Sequence, residues 1–514
     1  MNIIILLLLA FTKQCISTNP GVKVRLTKNG LEYANKVAHA EIVKQLQSLS
    51  IPDQSGQDGH IEYTLNNIRV KGVTPPASSI SLVPGENGIS WALSNFGISI
   101  SADWRVKYEE GIIHISTSGS VDASVSGINL VETASFGIDK TGRPSIASSG
   151  CSDSIGGVDV DFHGGASFII NLFRGTVERK IRDLLQPEIC EEVTQIINND
   201  AEKSLATLQV TVELAKLFLA DYRLVAPPAI TADFIEILDK GEVFWEAAVK
   251  EAPFSPQPLP ACSDYSRMVY IWVTNYTPNT FLYQAHTNGY LKYNVTKKDL
   301  PDDDASYLNT TCKLKCIGTI IPQIGQKYPN SSVELHLRST SIPKAVITSK
   351  TLTVELDTLV NMWVKTPNNA SAYLATLNVN VSLTVEPKIM EEKLNGVITN
   401  HSFKLSVVKS DVGKLHPSLL NLVIDGILTV AVIPNLNVIA AKGVELPMIG
   451  GVQFNNTFLL LQEGYLLIGT DLQYKVEKNN ALYFKECVYI KPILSFSVAW
   501  KNDNYSNILQ DSFV

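Results

Sequence analysis

The chain has 514 residues, 45% of them hydrophobic and 18% charged, with a net charge of −7. This is too apolar for a disordered chain and too long for one core, so two or more folded domains are expected. The acidic balance excludes the broad basic field of a nucleic-acid binder. No uninterrupted apolar run of about 18 residues predicts a membrane span.

The chain opens MNIIILLLLAFTKQCIST. Its apolar run, 3–11, is too short to cross a bilayer and fits a signal-peptide core, with cleavage expected before Thr18. A secreted protein follows, with residues 1–17 as signal peptide. Residues 18–250 read as a first domain. The stretch 29–52 predicts a helix, because Leu31, Ala34, Ala38, Ile42, Leu46 and Leu49 recur every three or four positions and Pro52 follows. In 112–128, Ile113, Ile115, Thr117, Val121, Ala123 and Val125 keep period two and predict a strand. Just before it, ADWRVKYEEG (102–111) puts Arg105 and Lys107 on one face of a strand, with Glu109 and Glu110 close behind. The stretch 166–200 predicts a long helix with an apolar face of Ile169, Leu172, Phe173, Val177, Ile181, Leu184 and Leu185, kinked or broken at Pro187.

The segment APFSPQPLPAC closes a linker, 251–262, whose four prolines favour extended structure. The second domain, 263–475, repeats the plan. Leu377, Val379, Val381, Leu383 and Val385 alternate as a strand; 416–443 then predicts an apolar helix broken near Pro434 and stopped near Gly443. The repetition suggests an internal duplication, and the alternating strands favour antiparallel sheets, hence an α+β fold. A tail, 476–514, carries Cys487 and an apolar stretch to which no role is assigned.

Nine N-x-S/T sequons begin at Asn275, Asn294, Asn309, Asn330, Asn369, Asn380, Asn400, Asn455 and Asn504, all in the second half. They mark candidate glycan sites and leave the first half bare. The first half, 19–250, holds 20 basic and 29 acidic side chains, a net of −9; 251–514 holds a net of +1. Loss of Cys15 with the signal peptide leaves six cysteines, as in a disulfide-bonded secreted protein. Cys312 and Cys316 read as two positions on one strand, about 13 Å apart at 3.3 Å per residue. They are therefore expected to pair with Cys262 and Cys487, in either order, and not with each other.

No catalytic motif, metal-ligand cluster or cofactor loop stands out, and the eight histidines are scattered. Long apolar helices beside amphipathic strands are what a dry lipid slot needs, where each buried methylene contributes about 0.8 kcal/mol.

Several segments together resemble the bactericidal/permeability-increasing and lipopolysaccharide-binding protein family. They are NPGVKVRLTKNGLEYA (19–34), SSISLVPGENGISWALSNFGISISADWRV (78–106), YRLVAPPAITADFIEILDKGEVFW (222–245), RMVYIWVTNY (267–276) and GYLLIGTDLQYK (464–475). The resemblance spans roughly 19–475. It implies an elongated boomerang of two similar twisted antiparallel barrels, each with a long helix, joined by a central sheet. It also implies a phospholipid pocket in each half and a Cys151–Cys190 disulfide. In the first half the lining is expected to include Ile169, Leu172 and Phe173, with other faces of that helix as the alternative. The resemblance further implies a lipopolysaccharide-binding tip on the first barrel, to which Trp104, Arg105 and Lys107 match. Glu109, Glu110 and a neighbouring loop without Lys or Arg thin that tip's positive charge. The expectation is a secreted, non-enzymatic lipid binder of innate defence, without cofactor or metal. Its partners would be lipopolysaccharide or a similar bacterial amphiphile, phospholipid and a membrane surface. The alternative is a phospholipid or neutral-lipid transfer protein.

Overall fold

A computed structural model of the chain describes residues 19–474 except 48–52, 166, 215, 261–265, 314–315 and 447–451. The expected signal peptide, the tail, Cys262, Cys487 and Asn504 lie outside the described residues.

Three main sheets run through these residues. The central one is six-stranded, in the order Ala229–Ile230, Phe234–Asp239, Val22–Thr27, Val269–Thr274, Tyr465–Tyr474, Val452–Gln462. Its middle strand, VYIWVT, is buried at every position. A continuous apolar run is what a strand covered on both faces requires. Strands from both halves of the sequence interleave here: Val22–Thr27 pairs with Phe234–Asp239 on one side and with Val269–Thr274 on the other.

A curled seven-stranded sheet lies on each side of this centre. In the first, Gly88–Glu110 and Ile113–Ile138 form a long antiparallel hairpin, Ile61–Thr74 pairs outside it, and Ala77–Val83 folds onto Gly88–Glu110. The second repeats this order with Leu352–Lys365, Ser371–Met390, Ser332–Ser339 and Lys344–Ile347. The topology therefore supports a duplication. Period-two alternation becomes burial: Leu377, Val379, Val381 and Leu383 are 0–7% exposed. Helix Lys28–Gln47 occupies the first predicted helical stretch.

A long helix closes each curled sheet. Ser167–Gln195 runs through Pro187 without ending there. Ile181 before the proline, and Ile189, Cys190 and Val193 after it, pack on one apolar cluster. That packing outweighs the ~3 kcal/mol penalty of an internal proline. The helix Pro417–Ala440 is likewise continuous and not broken. It widens into a π-helical turn at Leu428–Val432, just before Pro434. The wider turn accommodates a residue without an N–H and relieves the ring's clash with the preceding turn. Gly443, with φ +66°, follows the helix end, as expected.

The Cys151–Cys190 disulfide ties strand Pro144–Ser154 to the long helix, with Cα atoms 5.6 Å apart. The expectation for Cys312 and Cys316 is overturned: they bond to each other across 6.1 Å between Cα atoms. The segment is no strand. Cys316 caps a short helix, Ile317–Ile320, and Ile317, Ile321 and Ile324, at 0–2% exposure, turn the chain into the core. That spacing of three and four is a helical signal that period-two reading passes over.

Candidate functional site

The edges of the first curled sheet farthest from the centre are its hairpin turns. The opposite end abuts the central sheet, where Ile80, Leu82, Ile89 and Phe136 pack on Leu31, Ile230 and Ile235. Arg105 stands opposite Thr64 and Ser118, and Lys107 opposite Glu62 and Ser116; both cations are exposed on the outer face. Trp104 turns the other way. It is 2% exposed, its Nε1 donates to the Ser120 carbonyl at 2.9 Å, and its ring meets Phe162 edge-on at 5.7 Å. A Cβ at Gly165 (φ +77°) would lie 2.6 Å from the indole, so glycine there leaves room for the ring. The outer face thus presents the two cations and not Trp104, which anchors their strand from behind.

The outer face also carries acids. Lys107 Nζ is 3.1 Å from a carboxylate oxygen of Glu62, in a pair that is about half exposed on both sides. Arg105 has no ion-pair or hydrogen-bonding side-chain partner among the described residues. Glu109 shares this face and lies 3.9 Å from His114, whereas Glu110 faces the other way and accepts the Tyr108 hydroxyl. That hydrogen bond, more than any burial, raises the Tyr108 phenol above its ordinary pKa.

The turn itself is apolar. Gly111 has φ +61°, Ile112 is 98% exposed and Ile113 48%. A search for charge overlooks these two, although GIIH following two acids is an uncommon turn and is visible in the sequence. Arg105 lies five positions before Glu110, roughly 16 Å back along the strand. The cations therefore occupy the flank, and the isoleucines the extremity.

Inside the sheet, Ile170, Ile181 and Ile189 of the long helix pack on Trp104, Val106, Leu93 and Leu130. Ile169, Leu172 and Phe173 belong to that helix, but their side chains lie outside the described residues. Two acids interrupt the apolar inner face. Glu132, 3% exposed, sits in a cross-strand row between Trp91 and Cys151, and Asp153 in the next row beside Leu130 and Leu93. Among the described residues, neither carboxylate oxygen of Glu132, nor Oδ2 of Asp153, meets a donor in good hydrogen-bond geometry, and only the Ser148 hydroxyl lies close to Glu132. Burial raises both carboxyls above the usual range. The Ser148 hydroxyl near Glu132 and the Asp153 backbone amide oppose this only in part. In the second sheet, Leu420, Val423, Ile424 and Ile427 of the closing helix fill the interior, while Leu422, Val438 and Ile439 face outward.

Of the sequon asparagines, Asn294, Asn330, Asn369, Asn380, Asn400 and Asn455 are exposed, and Asn275 and Asn309 are half-buried. Among the described residues no group of three or more His, Cys, Asp or Glu is arranged to hold a metal ion.

Two curled sheets, each closed by a long helix and joined through a shared central sheet, define a duplicated tubular architecture. Residues 30–199 match the N-terminal domain, and 212–474 the C-terminal domain, of the LBP / BPI / CETP family, and the chain belongs to that family. It is 32% identical over 474 residues to bactericidal permeability-increasing protein of Sebastes schlegelii, covering 91% of this chain and 98% of that protein. It is 27% identical over 478 residues to human lipopolysaccharide-binding protein, covering 92% and 98%. The crystal structure of lipopolysaccharide binding protein aligns with a TM-score of 0.56 at 26% identity, covering 89% of this chain and 99% of that one. The α+β boomerang of two joined barrels is thus the fold.

Proposed function

We propose that this is a secreted lipid-binding protein of innate defence, which binds lipopolysaccharide or a similar bacterial amphiphile and holds phospholipid inside its curled sheets. The observation that carries the reading is the apolar inner face of each sheet, closed by one long helix, in a chain whose relatives are named for lipopolysaccharide binding and bactericidal action. Acyl chains would be held there by burial alone, with no covalent step. Arg105 and Lys107 would contact lipid phosphates on the flank of the first barrel, and Ile112 and Ile113 would meet acyl chains at its extremity. The apolar run 3–11 supports export. Transfer of phospholipid or neutral lipid without defence is the second reading. It is favoured by the Lys107–Glu62 pair, which leaves the flank weakly cationic. Identifying the lipid extracted from purified protein, then titrating lipopolysaccharide, separates them. Phospholipid with saturable lipopolysaccharide binding supports the first. Vesicle exchange without such binding supports the second, and turnover of an ester substrate would overturn both.

A further inference from the structure

Three of the eight sequon asparagines within the described residues lie on strands that end a sheet. Asn294 is in Lys292–Val295, the last strand on one side of the second curled sheet, which pairs with Ser332–Ser339. Asn400 is in Lys393–Ser410, at the opposite side of the same sheet. That strand pairs with Ser371–Met390 along its length; on its other side, among the described residues, only Lys393 and Leu394 have a strand partner, the short Val444–Glu445. Asn455 is in Val452–Gln462, the outer strand of the central sheet. All three asparagines are exposed. Two of them adjoin breaks in the pairing. Asn400 stands opposite Thr384 and Ile398 opposite Val385, so Thr399 is an extra residue beside the sequon. Register also shifts directly after Asn455, where Asn456 takes φ +51°. Bulges of this kind bend a strand and re-aim its side chains.

An edge strand offers a row of backbone N–H and C=O groups to another chain, and stable proteins keep such edges short, charged, bulged or covered. The first curled sheet does so without any sequon. Along Pro144–Ser154 the Ile146 N–H donates to Glu202 at 2.7 Å and the Ser148 N–H to Asn198 at 2.9 Å. Gly157–His163 carries Asp159 and Asp161, and Gln54–Asp58 is polar and only five residues long. The edges that bear sequons are less protected. In Lys393–Ser410 the closing helix satisfies the Ile398 N–H through Asn437 at 2.7 Å, and Lys404 and Lys409 charge the far half. Asn400 lies between these two protected parts. Val452–Gln462 is longer than most edges and contains no charged residue. Val397, Val408 and Leu460 on these two strands are exposed, so pairing with another edge would also bury apolar surface.

We propose that N-linked glycans on Asn294, Asn400 and Asn455 shield the open edges of the second curled sheet and of the central sheet, and so prevent edge-to-edge pairing with a second copy of this chain. A glycan is bulky and strongly hydrated, and two strands cannot close around it. The inference rests on the reading that the chain is exported, because N-glycans are added to secreted chains.

The test uses the full chain expressed in a glycosylating eukaryotic host, with peptide mapping for site occupancy and light scattering after size exclusion for mass. Mapping should find Asn294, Asn400 and Asn455 occupied. Asn294→Gln with Asn400→Gln and Asn455→Gln should at least double the parent's mass at micromolar concentration, since pairing joins two copies. Ser332→Ala with Ser371→Ala and Ser382→Ala removes the sequons of Asn330, Asn369 and Asn380, which lie away from the open edges, and should leave the mass unchanged. Lysine at 294, 400 and 455 also abolishes the glycans but places a charge on each edge, and should restore the parent's mass; a chain that had failed to fold would not be restored. A Gln variant with the parent's mass, equal association of the Ser→Ala control, no restoration by lysine, or bare edge sites beside other occupied ones overturns the shielding alone. A parent with no occupied sequon overturns the shielding and the export reading together.

Discussion

Arg105 and Lys107 alternate with Trp104 along one strand, and the alternation alone assigns them to opposite faces. What it does not give is Glu62, which reaches Lys107 from a strand 45 positions earlier; cross-strand register depends on how the sheet pairs, and no local pattern encodes it. The pair is solvated, so it contributes at most about 1 kcal/mol. Glu62→Gln should therefore raise affinity for lipopolysaccharide only a few-fold, and Arg105→Ala should lower it by a similar factor. Glu109→Lys should help more than Glu110→Lys, because only Glu109 shares the cationic face. All four effects should shrink between low and high salt, since the screening length is about 8 Å at physiological ionic strength. Titrations in which every variant matches the parent at both salt concentrations would remove this flank from the recognition surface. Ile112 behaves differently. At 98% exposure it contributes nothing to the fold, and burying it in lipid is worth about 1.5–3 kcal/mol. Ile112→Asp should leave the melting temperature unchanged and weaken vesicle binding roughly tenfold or more, with little dependence on salt.

Among the elements, the two closing helices were legible from apolar spacing, and the long strands from period two. The course of each helix past its proline was not. Whether a chain breaks, kinks or widens there depends on what packs on either side, as Ile189 and Cys190 do beyond Pro187. The inner acids were equally hidden, because Glu132 follows Val131 and reads as the polar half of an ordinary alternation. Only the register shows that it is Glu132 and not Val131 that points inward. The disulfides provide a test at this scale. Cys151 and Cys190 are 39 positions apart, and Cys312 and Cys316 only 4. In the chain-entropy account the longer loop stabilises by about 4 kcal/mol and the shorter by about 2. Cys151→Ser with Cys190→Ser should lower the denaturant midpoint clearly more than Cys312→Ser with Cys316→Ser. Equal losses would show that native contacts around the bridges, and not loop closure, set their contribution.

At the scale of the whole molecule, the shared central sheet makes the halves interdependent, and it contains a buried acid. Asp239, at the end of strand Phe234–Asp239, is 4% exposed; burial first, and the charge of Asp221 second, push its carboxyl up to about 8. Because this pKa is raised in the folded state, folding favours the protonated form, and stability falls as pH rises from about 4 toward 8. Asp239→Asn should remove that slope. The variant's gain in melting temperature over the parent should be larger at pH 8 than at pH 5. An equal gain at both would mean that Asp239 is ionised throughout. The duplication has a consequence too. The turn at 366–370 corresponds in the second sheet to the turn at 110–113 in the first, and both point away from the centre. The first carries Gly111 and two exposed isoleucines; the second is polar and holds the exposed sequon residue Asn369. If the isoleucines seat in lipid as proposed, one end is adhesive and the other is not, and the two tips together make the protein monovalent toward lipid surfaces. It should coat vesicles without clumping them, and mixtures that bind it should stay optically clear. Replacing Asn369 and Ala370 with isoleucine would give the molecule a second adhesive end and should turn the same suspension turbid.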